Sequence, residues 1–325
     1  MTQKFFDKAA IEYLQTHKIE VVLPKLPVGK TEAQLDKIDL HSLLEGAGGW
    51  IVGHVHITRD VLEGLPDLAI ISRRGVGYEK VDTIAAKELG KVVTIAAGGN
   101  DASVADQVIG MMISVGRRFQ EAQKSMIKGE WGILVGTELF QKKVGIIGFG
   151  RTGRSLAQRL KGFEAQILVS SPRLTTQDIE DYNLLQSDLD TILRESDYIS
   201  IHAPLTRETH HLIDAEALGK MKSSAILINT GRGGLVDDSA LLHALENNQI
   251  RGAGLDVYES ENDPSKKAIT NSLLSLHNVI AAPHAGASTE EALQRTNMIA
   301  AKCAVDVILN RKPPKQCVIV DGRKL

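Results

Sequence analysis

The sequence predicts an α/β protein that contains two doubly wound parallel sheets. Short apolar runs with strand character alternate with helical spacings along most of the chain, which is typical of parallel strands joined by helices. The motif Gly148-x-Gly150-x-x-Gly153 stands directly between one such run and a helical spacing. At 325 residues the chain is also long enough for two domains of ordinary size.

The first part of the chain, residues 1–96, alternates helix and strand patterns. A helix is predicted over Lys8–Thr16, and strands are predicted over 20–23, 50–53 and 68–72. The first helix starts about seven residues into the chain, which leaves little room for a strand ahead of it. A long helix is predicted over 101–125, with Asp101 as its candidate N-cap.

The alternation resumes at Lys143 and continues to a long final helix. Strands are predicted over 143–148, 166–170, 198–202, 225–229, 252–257 and 278–282, with helices over 154–163, 189–196, 215–221, 238–247 and 289–309 and a closing strand over 317–320. Six strands after one glycine motif are the number in a complete dinucleotide-binding domain. We therefore predict a Rossmann domain over 101–286, inserted in a smaller, flavodoxin-like substrate domain formed by 1–100 and 287–325.

The glycine motif has the context that a dinucleotide site requires. Gly148 would permit the tight turn, Gly150 would let the backbone approach a pyrophosphate, and Gly153 would let helix and strand pack closely. The N–H groups and the positive dipole end of the helix would then face the phosphates.

Composition excludes several classes of partner. A net charge of -2 leaves no basic surplus for a nucleic acid or an anionic membrane, and no apolar run is long enough to span a bilayer. The start of the chain has no apolar core of a signal peptide. Cys303 and Cys317 form neither a disulfide framework nor a metal-ligand pattern, so we expect a reduced, cytoplasmic protein without a metal.

Two polar residues follow predicted strands at the sheet edge where ligands bind. Arg232 follows the strand over 225–229, and a guanidinium there can hold a carboxylate through two hydrogen bonds and polarise the neighbouring carbonyl. His284 follows the strand over 278–282, and histidine is suited to carry a proton near neutral pH. The other histidines, among them His210 and His211, receive no role in proton transfer.

Four segments resemble the motifs of the NAD(P)-dependent D-2-hydroxyacid dehydrogenases. These segments are 148–153, Asn-Thr-Gly-Arg-Gly-Gly-Leu-Val over 229–236, Gly-Ala-Gly-Leu-Asp-Val over 252–257 and Ala-Pro-His-Ala-Gly over 282–286. Residues 72–78 together with 98–100 are similar to the phosphoglycerate dehydrogenase and glyoxylate/hydroxypyruvate reductase branch in particular. No regulatory domain of the longer relatives is expected.

The resemblance implies a catalytic set of Arg232, Glu261 and His284. Glu261 lies 29 residues after Arg232, which is the spacing of the corresponding Arg and Glu in the family. Glu259 is a competing candidate, because the Pro that usually follows the family's Glu is displaced here to Pro264. A carboxylate beside the imidazole would raise the pKa of the histidine.

The resemblance also implies residues for cofactor and substrate. The cofactor set comprises Gly148, Gly150, Arg151, Thr152, Gly153, Ser171, Arg173, Ala203, Pro204, Thr209, Thr230 and Asp256, the last expected to bind the nicotinamide amide. The substrate set comprises Arg73, Val76, Gly77 and Asn100.

The chain departs from the family pattern at two places. Ser171, 18 residues past Gly153, stands where NAD-specific members carry an acid, and Arg173 follows closely. Because an acid there repels a 2′-phosphate and an arginine accommodates one, NADP is favoured over NAD. The stretch 131–136, Trp-Gly-Ile-Leu-Val-Gly, lacks the basic residues that phosphoglycerate-handling relatives often have.

Three functions therefore stand as predictions. The first is an NAD(P)-dependent, homodimeric oxidoreductase that moves a hydride between nicotinamide and C2 of a small D-2-hydroxy or 2-keto acid, as in glyoxylate/hydroxypyruvate reductases. The second is D-3-phosphoglycerate dehydrogenase. The third, of another class, is a nucleotide-sensing corepressor-like protein, which would differ from an enzyme by slow turnover and an interaction groove or tail.

Overall fold

The computed structural model describes residues 6–53 and 55–323. The chain forms two compact units, one of Met1–Asn100 with Ala287–Leu325 and one of Asp101–Gly286. The smaller unit contains a four-stranded sheet and the larger unit a seven-stranded sheet. The predicted α/β class with two doubly wound sheets is confirmed.

The elements follow one another in an α/β alternation. Up to Asn100 they are α1 (Lys8–Thr16), α2 (Lys37–Leu44), β1 (Gly49–Val52), α3 (Arg59–Glu63), β2 (Ile70–Arg73), α4 (Thr83–Glu88) and β3 (Val92–Thr94). The larger unit contains α5 (Asp101–Gly116), α6 (Phe119–Ile127), β4 (Lys143–Ile147), α7 (Arg151–Leu160), β5 (Gln166–Ser170), α8 (Thr176–Tyr182), β6 (Leu184–Gln186), α9 (Leu189–Glu195), β7 (Tyr198–Ile201), α10 (Ala215–Lys220), β8 (Ile226–Asn229), α11 (Asp238–Glu246), β9 (Gly252–Leu255), α12 (Lys267–Ser275) and β10 (Val279–Ala281). The chain then returns to the smaller unit for α13 (Glu290–Ile308) and β11 (Val318–Asp321).

The smaller sheet is buried on both faces. Its strand order is β1-β2-β3-β11, with the first three strands parallel and β11 antiparallel to β3. Trp50 and Val52 pack against α2, α3 and α4, whereas Ile51 between them packs against α1 and α13. Helices on both faces explain why these strands are continuous apolar runs.

The larger sheet has the strand order β10-β9-β8-β7-β4-β5-β6, and all its strands are parallel. The chain runs outward from β4 to β6 and then returns to β7 beside β4, so the topological switch point lies between β4 and β7. Val144 and Ile146 pack on the side of α5 and α7, whereas Ile147 joins the cluster on the opposite face. The carboxyl ends of all seven strands therefore lie at one edge.

Two predicted elements are wrong. Residues 20–23 belong to no strand in the described part of the chain, and the Val22 and Leu23 side chains are more than half exposed. The predicted helix over 101–125 is two helices, because the chain turns at Arg118, whose φ is +56°. At this turn the Gly116 carbonyl accepts a hydrogen bond at 2.8 Å from the Thr137 N–H, which lies outside both helices.

The sequence patterns also missed several short elements, among them β3, β6, α8 and α12. β6 has only three residues, and two of them are exposed, so it lacks a strand's alternation. α8 is mostly polar and begins at a capping box between Thr175 and Asp178.

In the 6–53 and 55–323 stretches, no helix combines the length and apolar character needed to cross a bilayer.

Candidate active site

The predicted catalytic and cofactor residues lie on loops and at the start of α7, at the carboxyl edge of the seven-stranded sheet. They follow β4, β5, β7, β8, β9 and β10 in turn. Ligands of open α/β sheets bind at this edge, beside the switch point. The predicted substrate residues Arg73, Val76, Gly77 and Asn100 belong to the smaller unit instead.

The glycine turn after β4 combines tight packing with one open position. Gly148 has a φ of +92°, and a Cβ there would lie 2.6 Å from the backbone nitrogen of Ala203. A Cβ on Gly153 would lie 2.8 Å from the Gly148 carbonyl oxygen. A Cβ on Gly150 would meet nothing within 4 Å, and Gly150 precedes α7 without a side-chain cap. An anionic group can therefore reach the first N–H groups of α7, which begins with Arg151 and Thr152.

The loop after β8 is held in shape by Asn229. Its side-chain oxygen accepts the Gly231 N–H at 3.1 Å, and its amide nitrogen donates to the Arg232 carbonyl at 3.0 Å. Between them, the Thr230 hydroxyl is buried and has no hydrogen-bond partner in the described residues. A buried hydroxyl without a partner is costly, so a bound polar ligand would relieve it.

Arg232 is half-buried at the end of this loop. One guanidinium nitrogen donates to the Gly231 carbonyl at 2.8 Å. The next residue, Gly233, lies against the backbone of the following loop, where a Cβ would come within 2.2 Å of the Tyr258 carbonyl. This contact holds the Arg232 loop against the short turn that carries Glu259 and Glu261.

His284 and Glu261 form a direct pair. Nδ1 of His284 lies 2.6 Å from Oε2 of Glu261, and the side chains are 39% and 34% exposed. Oε1 of Glu261 accepts the Tyr258 N–H at 2.9 Å. Each carboxylate oxygen thus has a donor, which fixes the orientation of the imidazole.

The pair shifts both pKa values in the direction of an ion pair. The hydrogen bond to Glu261 raises the pKa of His284, although burial and the positive charge of Arg232 oppose this. Burial acts to raise the pKa of Glu261, but the bonds from His284 and the Tyr258 N–H outweigh it, so the pKa falls below its usual value. His284 is therefore a stronger base than an isolated histidine.

Glu259 makes a different set of contacts. Its Oε1 lies 2.9 Å from Nε2 of His211, and its Oε2 accepts the Asp238 N–H at 3.1 Å. Its own N–H donates to Asp238 Oδ2 at 3.0 Å. Of the two candidate carboxylates, Glu261 is the one against His284, and Glu259 is the partner of His211.

Asp256 has a contact set that the sequence did not predict. Its buried carboxylate accepts the N–H groups of Ala285 and Gly286 at 2.7 and 2.9 Å, and its carbonyl accepts the His284 N–H at 2.7 Å. These bonds hold His284 in the left-handed region, with a φ of +53°. Asp256 therefore positions the histidine, whereas its contact with nicotinamide stays a prediction.

Asn229 and Tyr258 were missed by sequence reasoning, although both support the site. The Tyr258 hydroxyl donates to the Leu255 and Ala282 carbonyls at 3.1 and 3.2 Å, and so joins the ends of β9 and β10. Asn229 opens the motif over 229–236, but no role was assigned to it, and Tyr258 stands directly after the motif over 252–257. Their position at or shortly after strand ends on the ligand-binding edge is a signal that could have identified them.

The loops after β5 and β7 complete the predicted cofactor set. The Ser171 hydroxyl accepts the Arg173 N–H at 3.4 Å, and Arg173 itself is exposed. After β7, Ala203 and Pro204 lead into a turn that the Thr209 hydroxyl closes by donating to the Pro204 carbonyl at 2.6 Å. Both loops are irregular segments at the switch-point edge.

The predicted substrate residues are ordered within the smaller unit. Arg73, at the end of β2, is buried and donates through Nε to the Gly77 carbonyl at 3.1 Å, which shapes the turn containing Val76. Asn100 is also buried, directly ahead of the larger unit. Their roles toward a substrate stay predictions.

The chain matches a known family over more than half of its length. The family profile described as "D-isomer specific 2-hydroxyacid dehydrogenase, NAD binding domain" matches residues 109–286. The chain belongs to this family. It is therefore an oxidoreductase that works with a nicotinamide cofactor on the CH–OH group of a D-2-hydroxy acid, and the resemblance found in its motifs is confirmed.

Individual relatives of this dehydrogenase agree with the assignment. It is 36% identical to the hydroxypyruvate reductase of Thermotoga maritima, over 88% of this chain and 92% of that protein. It is 40% identical to the D-3-phosphoglycerate dehydrogenase of Methanocaldococcus jannaschii, over 76% of this chain and 47% of that longer protein. The crystal structure of the TT0316 protein from Thermus thermophilus has a TM-score of 0.85 at 31% identity, over 98% of both chains.

The dehydrogenase's residues fit the nicotinamide dinucleotide that the family uses. The open position at Gly150 can admit a pyrophosphate, and the buried Thr230 hydroxyl can bind a polar group of the ligand. Gly148 to Gly153 and the start of α7 would hold the phosphates, and the loops after β5 and β7 would hold the adenosine end.

Replacing each of the two glutamates by glutamine in turn tests whether Glu261 is the carboxylate that acts on His284. Glu261→Gln removes the charge that raises the pKa of His284, so the imidazole should lose its proton at a lower pH. We predict that His284 supplies the proton in reduction, so the rate should decline at a lower pH than in the wild type. The measurement is kcat/KM for a 2-keto acid as a function of pH.

Glu259→Gln is the matched control, because it removes an equivalent carboxylate two residues away that contacts His211 instead. Its pH profile should follow the wild type. A displaced profile in Glu259→Gln with an unchanged one in Glu261→Gln would reverse the assignment.

A larger side chain at Gly150 tests the cofactor position. Gly150→Val should fold normally, since φ is -88° and no atom lies near the Cβ position. It should weaken NADPH binding by about tenfold or more, because the side chain occupies the space of the pyrophosphate. The measurements are the melting temperature and a fluorescence titration with NADPH. Gly162→Val also adds a side chain in open space, but away from the glycine turn, and should change neither quantity. Unchanged NADPH binding in Gly150→Val would contradict the placement of the pyrophosphate at Gly150.

Proposed function

We propose that the protein reduces small 2-keto acids of the glyoxylate and hydroxypyruvate type to D-2-hydroxy acids. The observation that carries the proposal is the 2.6 Å pair of His284 and Glu261, on the same sheet edge as Arg232. A cation for the acid group and a proton carrier with a raised pKa are what the reduction of a carbonyl beside a carboxylate needs. The name of the hydroxypyruvate reductase relative supports this substrate class.

Each residue has a definite task in this chemistry. Bound nicotinamide supplies or accepts the hydride at C2. Arg232 would hold the substrate carboxylate and polarise the carbonyl oxygen. His284, with Nδ1 engaged by Glu261, would deliver its proton from Nε2 to that oxygen, and would remove it again in the oxidative direction. Glu261 would stabilise the imidazolium form.

The phosphoglycerate alternative has support of its own. A phosphoglycerate dehydrogenase is among the relatives, and residues 72–78, which include Arg73, are similar in sequence to that branch. The segment 131–136 after α6 argues against this alternative, because it contains no lysine or arginine that could bind a phosphate. Its side chains Trp131, Ile133 and Val135 are apolar and are 76%, 95% and 79% exposed. We therefore place it second.

A substrate panel tests this choice. With NADPH, glyoxylate and hydroxypyruvate should be reduced with a kcat/KM at least about tenfold above that of 3-phosphohydroxypyruvate, because a phosphate finds no cation in the 131–136 segment. The measurement is the loss of nicotinamide absorbance.

Arg232→Lys should lower kcat and raise KM for all three acids, since an ammonium cannot make a two-pronged contact. A preference for the phosphorylated acid would favour phosphoglycerate dehydrogenase. Absence of turnover with every acid would favour the corepressor-like alternative.

We also propose that NADP is preferred over NAD. Within the described residues, no hydrogen bond or ion pair engages the Arg173 guanidinium, whereas the nearby Arg154 is held by Asp178 through two bonds of 2.7 and 2.8 Å. Ser171 presents a hydroxyl where an acid would repel a 2′-phosphate. Arg173 is thus the cation on this loop that is available to a phosphate.

Cofactor preference should follow Ser171 and Arg173. A charge-assisted contact of about 1.5–3 kcal/mol corresponds to a roughly 10- to 150-fold difference in affinity. We therefore expect kcat/KM with NADPH to exceed kcat/KM with NADH by about this factor. Ser171→Asp should reverse the preference by repulsion, and Arg173→Ala should abolish it. Arg194→Ala, which removes another exposed arginine, on α9, is the control. Equal use of both cofactors by the wild type would contradict the proposal.

The protein is further proposed to be a homodimer, formed through α6 and the segment that follows it. Phe119, Met126, Ile127, Trp131, Ile133 and Val135 are all about half to almost fully exposed. Monomeric proteins rarely expose so many large apolar side chains in one region, and self-association through one shared patch is the commonest way to cover it.

Charge on this patch should separate the subunits. Trp131→Glu combined with Ile133→Glu should convert a dimer into a monomer in sedimentation velocity, because two carboxylates would be desolvated in each half of the interface. Val28→Glu alters a fully exposed valine in the smaller unit and should leave the dimer intact. A wild-type monomer would refute the assignment.

A further inference from the structure

A second cluster of imidazole and carboxylate groups lies outside the proposed catalytic set. The candidate ligand atoms of His210, His211 and Glu259 all lie within 4.8 Å of one another. The two histidines follow the turn after β7, and Glu259 comes from the turn after β9. The contact between Glu259 Oε1 and His211 Nε2, at 2.9 Å, closes the cluster.

The backbone around this cluster is already fixed. His210 and His211 donate their N–H groups to the Thr206 and Gly234 carbonyls at 3.0 and 2.7 Å. Glu259 exchanges two hydrogen bonds with Asp238, at 3.1 and 3.0 Å, and its side chain is only 9% exposed. Donor atoms held by separate, ordered loops lose little conformational entropy when they bind a ligand.

We propose that His210, His211 and Glu259 form a binding site for a divalent transition-metal ion of the zinc class. Two imidazoles and one carboxylate are a ligand set that Zn²⁺ accepts, whereas Mg²⁺ and Ca²⁺ prefer oxygen alone. Asp237 Oδ2 lies 3.9 Å from Nδ1 of His211 and adds a negative charge beside that ring, which favours a bound cation. The sequence showed no metal pattern because Glu259 is 48 residues from His211 along the chain.

The site would stabilise the turn that carries the proposed catalytic carboxylate. Glu259 and Glu261 belong to one short 3-10 turn, so an ion on Glu259 would tie this turn to the His210–His211 loop. Lys266, with its Nζ 3.8 Å from Glu259 Oε2, is the one competing cation recorded near the carboxylate among the described residues. Binding requires deprotonated imidazoles, so the affinity should fall as the pH is lowered.

Zinc titration of the full-length protein tests the proposal. After chelator treatment, calorimetry with ZnCl₂ alone at neutral pH should show one saturable site per chain and a rise in melting temperature. His210→Ala and the isosteric Glu259→Gln should each weaken zinc binding by about tenfold or more. His243→Ala, which removes an exposed histidine from α11, should bind zinc as the wild type does.

A fourth variant separates this site from the proposed active site. His284→Asn should retain the zinc affinity, because the metal ligands do not include the catalytic imidazole. Zinc binding that is lost in His284→Asn but kept in Glu259→Gln would assign the ion to the active site and overturn the proposal. Absence of saturable binding in the wild type, or unaltered affinity in both ligand variants, would overturn it as well.

Discussion

Close backbone contacts at the carboxyl edge of the seven-stranded sheet are the constraint on which the site depends. Gly148 lies against the backbone of the loop after β7, and Gly233 lies against the loop after β9. A Cβ at either position would overlap main-chain atoms, so these contacts can exist only with glycine. They bring the glycine turn after β4, the Arg232 loop and the turn of Glu261 together at one edge. Without them the strand ends would still be adjacent, but their loops would stand apart.

Hydrogen bonds from buried polar groups then orient the functional side chains. Asp256 and Asn229 use their side chains on backbone groups of the loops that carry His284 and Arg232. Such bonds in a partly dry region are stronger than in water and expensive to leave unmade. The left-handed conformation of His284 is tolerated because three bonds to Asp256 enforce it. Orientation of the imidazole is therefore a property of the loop rather than of the histidine alone.

The edge holds two histidine–carboxylate pairs that differ in surroundings. His284 and Glu261 are about one-third exposed and lie within the field of Arg232. Glu259 is almost buried against His211 and Asp238, and burial together with the charge of Glu259 raises the pKa of Asp238 to about 6. The Glu259 carboxylate is thus covered by protein groups, whereas both side chains of the His284–Glu261 pair are about one-third exposed. Two glutamates only two residues apart acquire different chemistry because a 3-10 turn directs them to opposite neighbours.

The sequence by itself determined the elements whose causes are local. Most strands of the larger sheet are short runs of apolar residues, many of them β-branched, and can be read from the sequence. The glycine motif is recognisable because it stands between a strand and a helix. Arg232 and His284 are recognisable because each lies in a family motif after a predicted strand. Only the tertiary structure decided which groups meet. Contacts between segments distant in the chain decide the pairing of Glu261 with His284 and of Glu259 with His211. Such contacts also accompany the break of the helix at Arg118 and let Asp256 hold the backbone of the His284 loop. Such contacts are set by how the loops pack at the sheet edge, and no local preference of a single residue encodes that packing.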